Sequence, residues 1–267
     1  MASDTIISVR NLSKTFGNFT AVDNISFEVP HGQIFAFLGP NGAGKSTTIK
    51  MLTTLLSPSE GEIMLNNFDV TKQQHDARKS FGIVFQDPST DDELTAYENM
   101  ELHAVMYKVP SKSRHERIES LLKFVELWER KDSQVKTFSG GMKRRLEIAR
   151  GLLHHPKILF LDEPTIGLDP QTRNHIWEYI QNLNQKEHMT IFFTTHYMEE
   201  AEKIAERIAI MDHGKIITIG NAQELKKQTK TNSLEEAFLK LTGSEIREEE
   251  VTPMSRMKMR MRGGMGR

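Results

Sequence analysis

The chain has 267 residues, 35 Lys and Arg against 36 Asp and Glu, a formal net charge of −1 and no cysteine. Near-neutral charge removes any global attraction to nucleic acid, and the lack of thiols excludes disulfides, Fe–S ligation and Cys-based zinc sites. Hydrophobic content of 37% suits a globular protein with a large core, while apolar runs of about five residues fall far short of the ~18 that span a bilayer.

The start, Met1-Ala2-Ser3-Asp4-Thr5, lacks the basic and apolar regions of a signal peptide. Residues 5–37 read as strands: Ile25, Phe27 and Val29 alternate with polar neighbours, and Gly17-Asn18 and His31-Gly32 read as turns. Residues 34–38 form an apolar run, as a buried strand would, and a helix-compatible segment begins at Thr48. Residues 57–61 read as a breaker, and residues 62–65 and 81–85 as strands. Residues 95–151 turn helical, with Leu121, Leu122, Val125 and Leu127 on one face and Leu146, Ile148, Ala149 and Leu152 on another. Strand signals return at residues 158–161, 190–194 and 208–211, with helical segments between. Strands alternating with helices imply parallel strands with helices packed on them, and the stretch 87–155 reads as an inserted helical subdomain. Past Gly243, Glu245, Glu248, Glu249 and Glu250 precede a segment in which methionines alternate with Lys and Arg. Such a tail reads as a solvated, disordered end, or more sharply as a basic strip touching lipid headgroups or a membrane partner.

Between the apolar run and the helix lies Gly39-Pro40-Asn41-Gly42-Ala43-Gly44-Lys45-Ser46, a match to the P-loop pattern. Glycines let the loop wrap closely, so that backbone N–H groups point at phosphate oxygens, and the helix N-terminus adds to the field. Lys45 would reach the β- and γ-phosphates and the Ser46 hydroxyl would ligate Mg²⁺. The apolar strand 158–161 runs into Asp162 and Glu163. Alone, an acidic pair is more often a helix cap. Beside a P-loop, Asp162 is placed to hold Mg²⁺ and Glu163 to act as general base on water. Ser139-Gly140-Gly141 supplies a helix cap and exposed N–H groups, a second anion site upstream of that strand.

With these motifs in hand the chain, over residues 5–222, resembles the ATP-binding cassette (ABC) ATPases. Gly39 through Thr47 match Walker A, and residues 158–163 match Walker B with its catalytic glutamate. Phe138-Ser139-Gly140-Gly141-Met142 resembles the Leu-Ser-Gly-Gly-Gln signature, with Phe138 and Met142 as departures that leave the serine and glycines intact. Gln86 matches the Q-loop glutamine, implied to join Glu163 and His196 in the catalytic set, to sense the nucleotide and pass its movement to the helical subdomain, and to be a further Mg²⁺ ligand candidate; Asp169 in Gly167-Leu168-Asp169 matches the D-loop, and His196 the switch histidine. Phe16 falls where the family sets an aromatic against adenine. Locally, Phe16 also fits a core or surface aromatic, Gln86 a strand end, His196 a strand-end histidine, and Asp169 before Pro170 a turn former. Trp128 and Trp177 read as packing residues.

The resemblance implies an α/β fold: a P-loop NTPase core with a mixed, largely parallel sheet, an N-terminal antiparallel β subdomain and the inserted α-helical subdomain. A short helical extension over residues 223–243 would follow the cassette, and residues 244–267 would form the tail. ATP and Mg²⁺ are the implied cofactors. The implied arrangement is head to tail: ATP on Lys45 of one copy is capped by Ser139 and Gly141 of another, most simply in a homodimer. The implied partners are separate integral membrane permease subunits, with the chain peripheral on the cytoplasmic face and no nucleic acid expected. The Phe-Ser-Gly-Gly-Met form, residues 86–95 and residues 234–243 look like the exporter branch that includes daunorubicin-resistance ATPases. The rivals are a soluble ABC ATPase that remodels a protein or nucleic-acid complex, a nucleotide-gated binding subunit without turnover, and an importer ATPase.

Overall fold

A computed structural model describes residues 5–243; the Met- and Arg-rich tail lies outside the described residues. Two strands, β1 (Thr5–Phe16) and β2 (Phe19–Pro30), form a hairpin joined at Gly17-Asn18, and β4 (Glu60–Leu65) and β5 (Phe68–Asp69) extend it into an antiparallel sheet of order β2-β1-β4-β5. The second sheet has six strands in the order β10-β9-β3-β8-β7-β6, from β3 (Ile34–Leu38), β6 (Phe81–Val84), β7 (Ile158–Asp162), β8 (Thr190–Thr194), β9 (Arg207–Asp212) and β10 (Lys215–Gly220). All its pairings are parallel except β9 with β10, so the sheet is mixed and largely parallel.

Every residue of β3, β7 and β8 is buried, as expected where both faces of a parallel sheet are covered. Successive side chains point to opposite faces, and the two cores divide accordingly. Ile34, Ala36, Leu38, Leu159, Leu161, Ile191 and Phe193 join the core shared with the helical segments. Phe35, Phe37, Ile158, Phe160 and Phe192 join the core under the antiparallel sheet. There Phe27 of β2 meets Phe35, Phe37 and Phe192 with ring centroids 5.7, 5.7 and 6.1 Å apart, so aromatic contact joins the two sheets. On the other face Trp177 packs edge-on against Phe193 at 4.7 Å, the packing role expected of it.

The helices are α1 (Lys45–Leu52), α2 (Gln74–Ser80), α3 (Ala96–Met106), α4 (Ser111–Phe124), α5 (Gly140–Gly151), α6 (Pro170–Glu187), α7 (Met198–Ile204), α8 (Ala222–Thr229) and α9 (Leu234–Thr242). The insertion read at residues 87–155 contains α3, α4 and α5, and the stretch 223–243 holds most of α8 and all of α9. Helix α1 starts at Lys45, ahead of the periodic residues, because Gly44 at φ 107° caps it without a side chain. Strand β4 starts inside the expected breaker, since Gly61 at φ 90° sits against the Arg10 and Asn11 carbonyls, where a Cβ would fall 2.6 and 2.4 Å away. Helix α2 and strand β10 escaped the sequence reading. The first is short and polar; the second alternates exposed and half-buried residues along a sheet edge.

His103 of α3 provides a pH-dependent stability term. Burial, followed by the nearby Arg150 and His154, lowers it from 6.5 to about 4. Between those values the unfolded chain binds a proton that the folded chain refuses. Stability is therefore fully present above about pH 6.5 and lost as pH falls toward 4. Allowing for partial exposure, the loss amounts to about 1–2 kcal/mol. Urea midpoints of the wild type and His103→Gln at pH 7 and 4.5 test this: the variant should lose less on acidification, and equal losses would refute the assignment.

Candidate functional site

Parallel order brings the carboxyl ends of β6, β3, β8 and β7 to one edge of the sheet, the edge where open α/β sheets bind ligands. The loop 39–44 leaves β3 there and enters α1. Two of its glycines are obligatory. A Cβ on Gly39 would lie 2.4 Å from the Met211 carbonyl, and one on Gly44 would lie 2.5 Å from the Ala21 carbonyl. The α1 N-cap makes no side-chain hydrogen bond, which leaves the first-turn N–H groups to an anion. On this loop Asn41 and Gly42 are exposed, Pro40 and Gly44 half-buried and Ala43 buried, and in the first turn of α1 Ser46 is exposed and Thr47 half-buried. Lys45 is 7% exposed, and its ammonium donates to the Gly39 and Pro40 carbonyls at 2.7 and 3.1 Å. Burial lowers the Lys45 pKa, opposed by the negative charges of Glu163 and Asp162.

Asp162 ends β7 and pairs in register with Thr194 of β8. The Thr194 hydroxyl donates to Asp162 Oδ1 at 2.6 Å and accepts the Glu163 N–H at 3.0 Å. Burial raises the Asp162 carboxyl, the Thr194 hydrogen bond opposes that rise, and the Glu163 charge adds to it. A cation would relieve this crowding of negative charge, and hard oxygen donors suit Mg²⁺. Glu163 adopts φ 48°, a left-handed conformation uncommon for a non-glycine residue, and its Oε2 lies 3.4 Å from His196 Nδ1. His196 follows β8 by two residues and is 43% exposed at its side chain, against 13% for Glu163. A carboxylate beside an imidazole at the mouth of a phosphate loop can orient and deprotonate a water.

Other predicted residues lie around this centre. Gln86 is exposed in the loop after β6, at the same sheet edge. Phe16 ends β1, 47% exposed, with Lys14 Nζ 5.1 Å from its ring centroid; an exposed aromatic of this kind offers a stacking face. Ser139 caps α5 by accepting the Met142 N–H at 3.3 Å. Ser139 and Gly140 are exposed, whereas Gly141 is buried. A Cβ on Gly140 would lie 3.6 Å from Leu168, and one on Gly141 would lie 2.4 Å from Thr172, so the Ser-Gly-Gly corner packs against the segment that carries Asp169. Asp169 caps α6, accepting from the Thr172 N–H at 3.0 Å and hydroxyl at 2.6 Å. Asp169 thus stands at the turn into α6 and caps that helix, a local role beside the one the family motif implies.

Four polar groups of the site went unread. Besides Thr194, the buried Glu200 of α7 accepts from the Thr165 hydroxyl at 2.9 and 3.0 Å and from the Thr195 hydroxyl at 3.0 Å. Thr195 Oγ1 in turn accepts the Tyr197 N–H at 2.9 Å. This network ties the segment after Glu163 to the segment carrying His196. The only sequence signal was the pair of threonines before the histidine.

Comparison with known proteins decides the family. Residues 22–166 match the family described as ABC transporter. The chain belongs to the ABC transporter family. A linearmycin resistance ATP-binding protein of Bacillus subtilis is 40% identical over 242 residues, covering 88% of this chain and 78% of that protein. A daunorubicin/doxorubicin resistance ATP-binding protein of Streptomyces peucetius is 40% identical over 228 residues, covering 85% and 69%. Among solved structures, an ATP-binding cassette in a dimeric post-hydrolysis state with ADP and Pi superposes with a TM-score of 0.72 at 28% identity, covering 80% of this chain and 98% of that one. The fold is that of ABC cassettes, and members of this family are ATPases whose hydrolysis is coupled to transport. No helix among the described residues is long and apolar enough to cross a membrane.

Proposed function

We propose that the chain is the ATP-hydrolysing subunit of an ABC exporter, working as a head-to-tail pair of cassettes on the cytoplasmic face of a membrane beneath separate membrane-spanning subunits. The observation that carries hydrolysis, rather than nucleotide binding alone, is the Glu163–His196 pair, 3.4 Å apart, on the sheet edge shared with Lys45. Glu163 takes the proton of the attacking water, and His196 holds the glutamate and the γ-phosphate in line. The P-loop N–H groups of residues 39–47 and Lys45 neutralise the phosphates. Ser46, Asp162 and Gln86 are the residues that would hold Mg²⁺, which supplies charge neutralisation at the β- and γ-phosphates when bound. Phe16 stacks on the adenine. Ser139 and the adjoining glycines cap the nucleotide of the partner cassette, and Asp169 carries the signal between the two copies.

Export is supported by the relatives named for antibiotic resistance and by the Phe138 and Met142 variant of the signature. Glu163 and His196 argue against a subunit without turnover. A pull-down from solubilised membranes tests the transport reading, with Glu163→Gln as bait under ATP and Mg²⁺. A multi-span membrane protein should co-purify. A soluble assembly or nucleic acid in its place would overturn the transporter reading and leave the ATPase site standing.

A further inference from the structure

Three charged side chains of α5 are buried on one face of the helix: Arg144 at 6%, Glu147 at 2% and Arg150 at 6% exposure. Spaced three apart, they lie in one row, and that row faces the loop after β6. The Arg144 guanidinium donates to the Phe85 carbonyl at 2.5 Å and to the Gln86 carbonyl at 3.1 Å, and pairs with Glu147 Oε2 at 3.1 Å. Glu147 Oε1 accepts the Ser89 N–H at 2.7 Å and the Ser89 hydroxyl at 3.3 Å. Arg150 donates to the Ser89 carbonyl at 2.6 Å and also to its hydroxyl. Side chains of α5 thus bind the polar groups of the 85–89 loop.

Burying three charges is costly, and apolar side chains of like volume often pack a helix as well or better. What charges add is a directional attachment to particular carbonyl and N–H groups. The attachment runs from Phe85 through Gln86 to Ser89, and the helix it grips is capped by Ser139, roughly 7.5 Å along the axis from Arg144 at about 1.5 Å per residue. We propose that Arg144, Glu147 and Arg150 are positioning residues that lock the Gln86 loop to α5, so that the placement of Gln86 over its own nucleotide sets where Ser139 is presented to the partner cassette's nucleotide. The proposal rests on the head-to-tail reading above. It assigns the coupling between the two nucleotides to these three side chains.

A double-mutant cycle tests it in the Glu163→Gln background, with the full chain. Arg144→Lys keeps the charge but cannot bridge two carbonyls and a carboxylate. Gln86→Ala removes the group that the clamp is meant to carry. ATP-driven dimerisation is followed by analytical ultracentrifugation, ATP binding by each chain with a fluorescent ATP analogue, and folding by circular dichroism melts. Arg144→Lys, which lies outside the nucleotide site, should bind the analogue within about 2-fold of the parent, and each single variant should need about 10-fold or more ATP to dimerise, the scale of a coupling between sites. The double variant should be little worse than either alone, because both act on one path.

Should Arg144→Lys unfold, Glu147→Gln serves in its place. It is close in shape and leaves the two guanidinium groups uncompensated. Additive effects of the clamp and Gln86→Ala, or clamp variants that dimerise at the parent's ATP concentration, would overturn the clamp alone. A parent that stays monomeric with ATP would overturn the head-to-tail reading and the clamp with it.

Discussion

Replacing Glu163 by Gln lowers steady-state ATP turnover by roughly 10²–10⁴-fold, the usual scale for a lost general base, while ATP binding persists. The glutamine has nearly the same shape, so the His196 contact at 3.4 Å can survive as a hydrogen bond. Lys45 and the loop 39–44 make no hydrogen bond to Glu163 that the substitution would break. One negative charge beside the γ-phosphate is removed, which favours the ATP-bound pair of cassettes over the open form. Phosphate release and equilibrium ATP binding check the two halves of this result. A turnover within a few-fold of wild type would remove Glu163 from the reaction. The companion variant Ser139→Arg separates the two sites. It removes the hydroxyl that accepts the Met142 N–H, at about 1 kcal/mol for a lost helix cap, and places a long side chain on an exposed face. ATP binding by each chain should remain, and ATP-driven pairing and turnover should both fail. Turnover that survived both substitutions would overturn the mechanism.

Lys45→Ala should abolish measurable ATP binding without unfolding the protein. The ammonium is buried to 7% exposure and faces the Gly39 and Pro40 carbonyls. Truncating one partner of a buried charge pair costs about 2–5 kcal/mol, a loss of roughly 30- to several-thousand-fold in affinity. Lys45→Arg should not rescue binding, because a planar guanidinium cannot replace a compact point charge in that space. Burial already opposes the charge on Lys45, so removing it should leave the thermal midpoint close to wild type. What disappears is the rise in midpoint on adding ATP, the mass-action stabilisation by a bound ligand. An unchanged ATP-dependent rise in Lys45→Ala would show that the lysine does not hold the phosphates.

Much of this was legible along the chain because the relevant relations are short in sequence. The P-loop pattern, the apolar strand ending in Asp162 and Glu163, the Ser139 cap and the Asp169-Pro170 turn each lie within a few residues, where strand alternation, helix periodicity and capping chemistry act directly. From these, the α/β class, the helical insertion between β6 and β7, the nucleotide loop and the Asp162–Glu163 pair could be named, while Phe16, Gln86, Asp169 and His196 were named only through the family resemblance that these motifs carry. The tertiary structure decided how distant groups meet. Parallel order in the six-stranded sheet places Thr194 on Asp162 and brings His196 to Glu163. The left-handed turn at Glu163 is held by a hydrogen bond from its N–H to a strand thirty-one residues away. The grip of Arg144 on Phe85 and Gln86 spans about sixty residues of chain. Such contacts follow from sheet order and helix placement, which arise from the joint burial of side chains throughout the fold. No local window contains that information, because the same threonine, glutamate or arginine would read as an ordinary polar residue until its buried partner was in place.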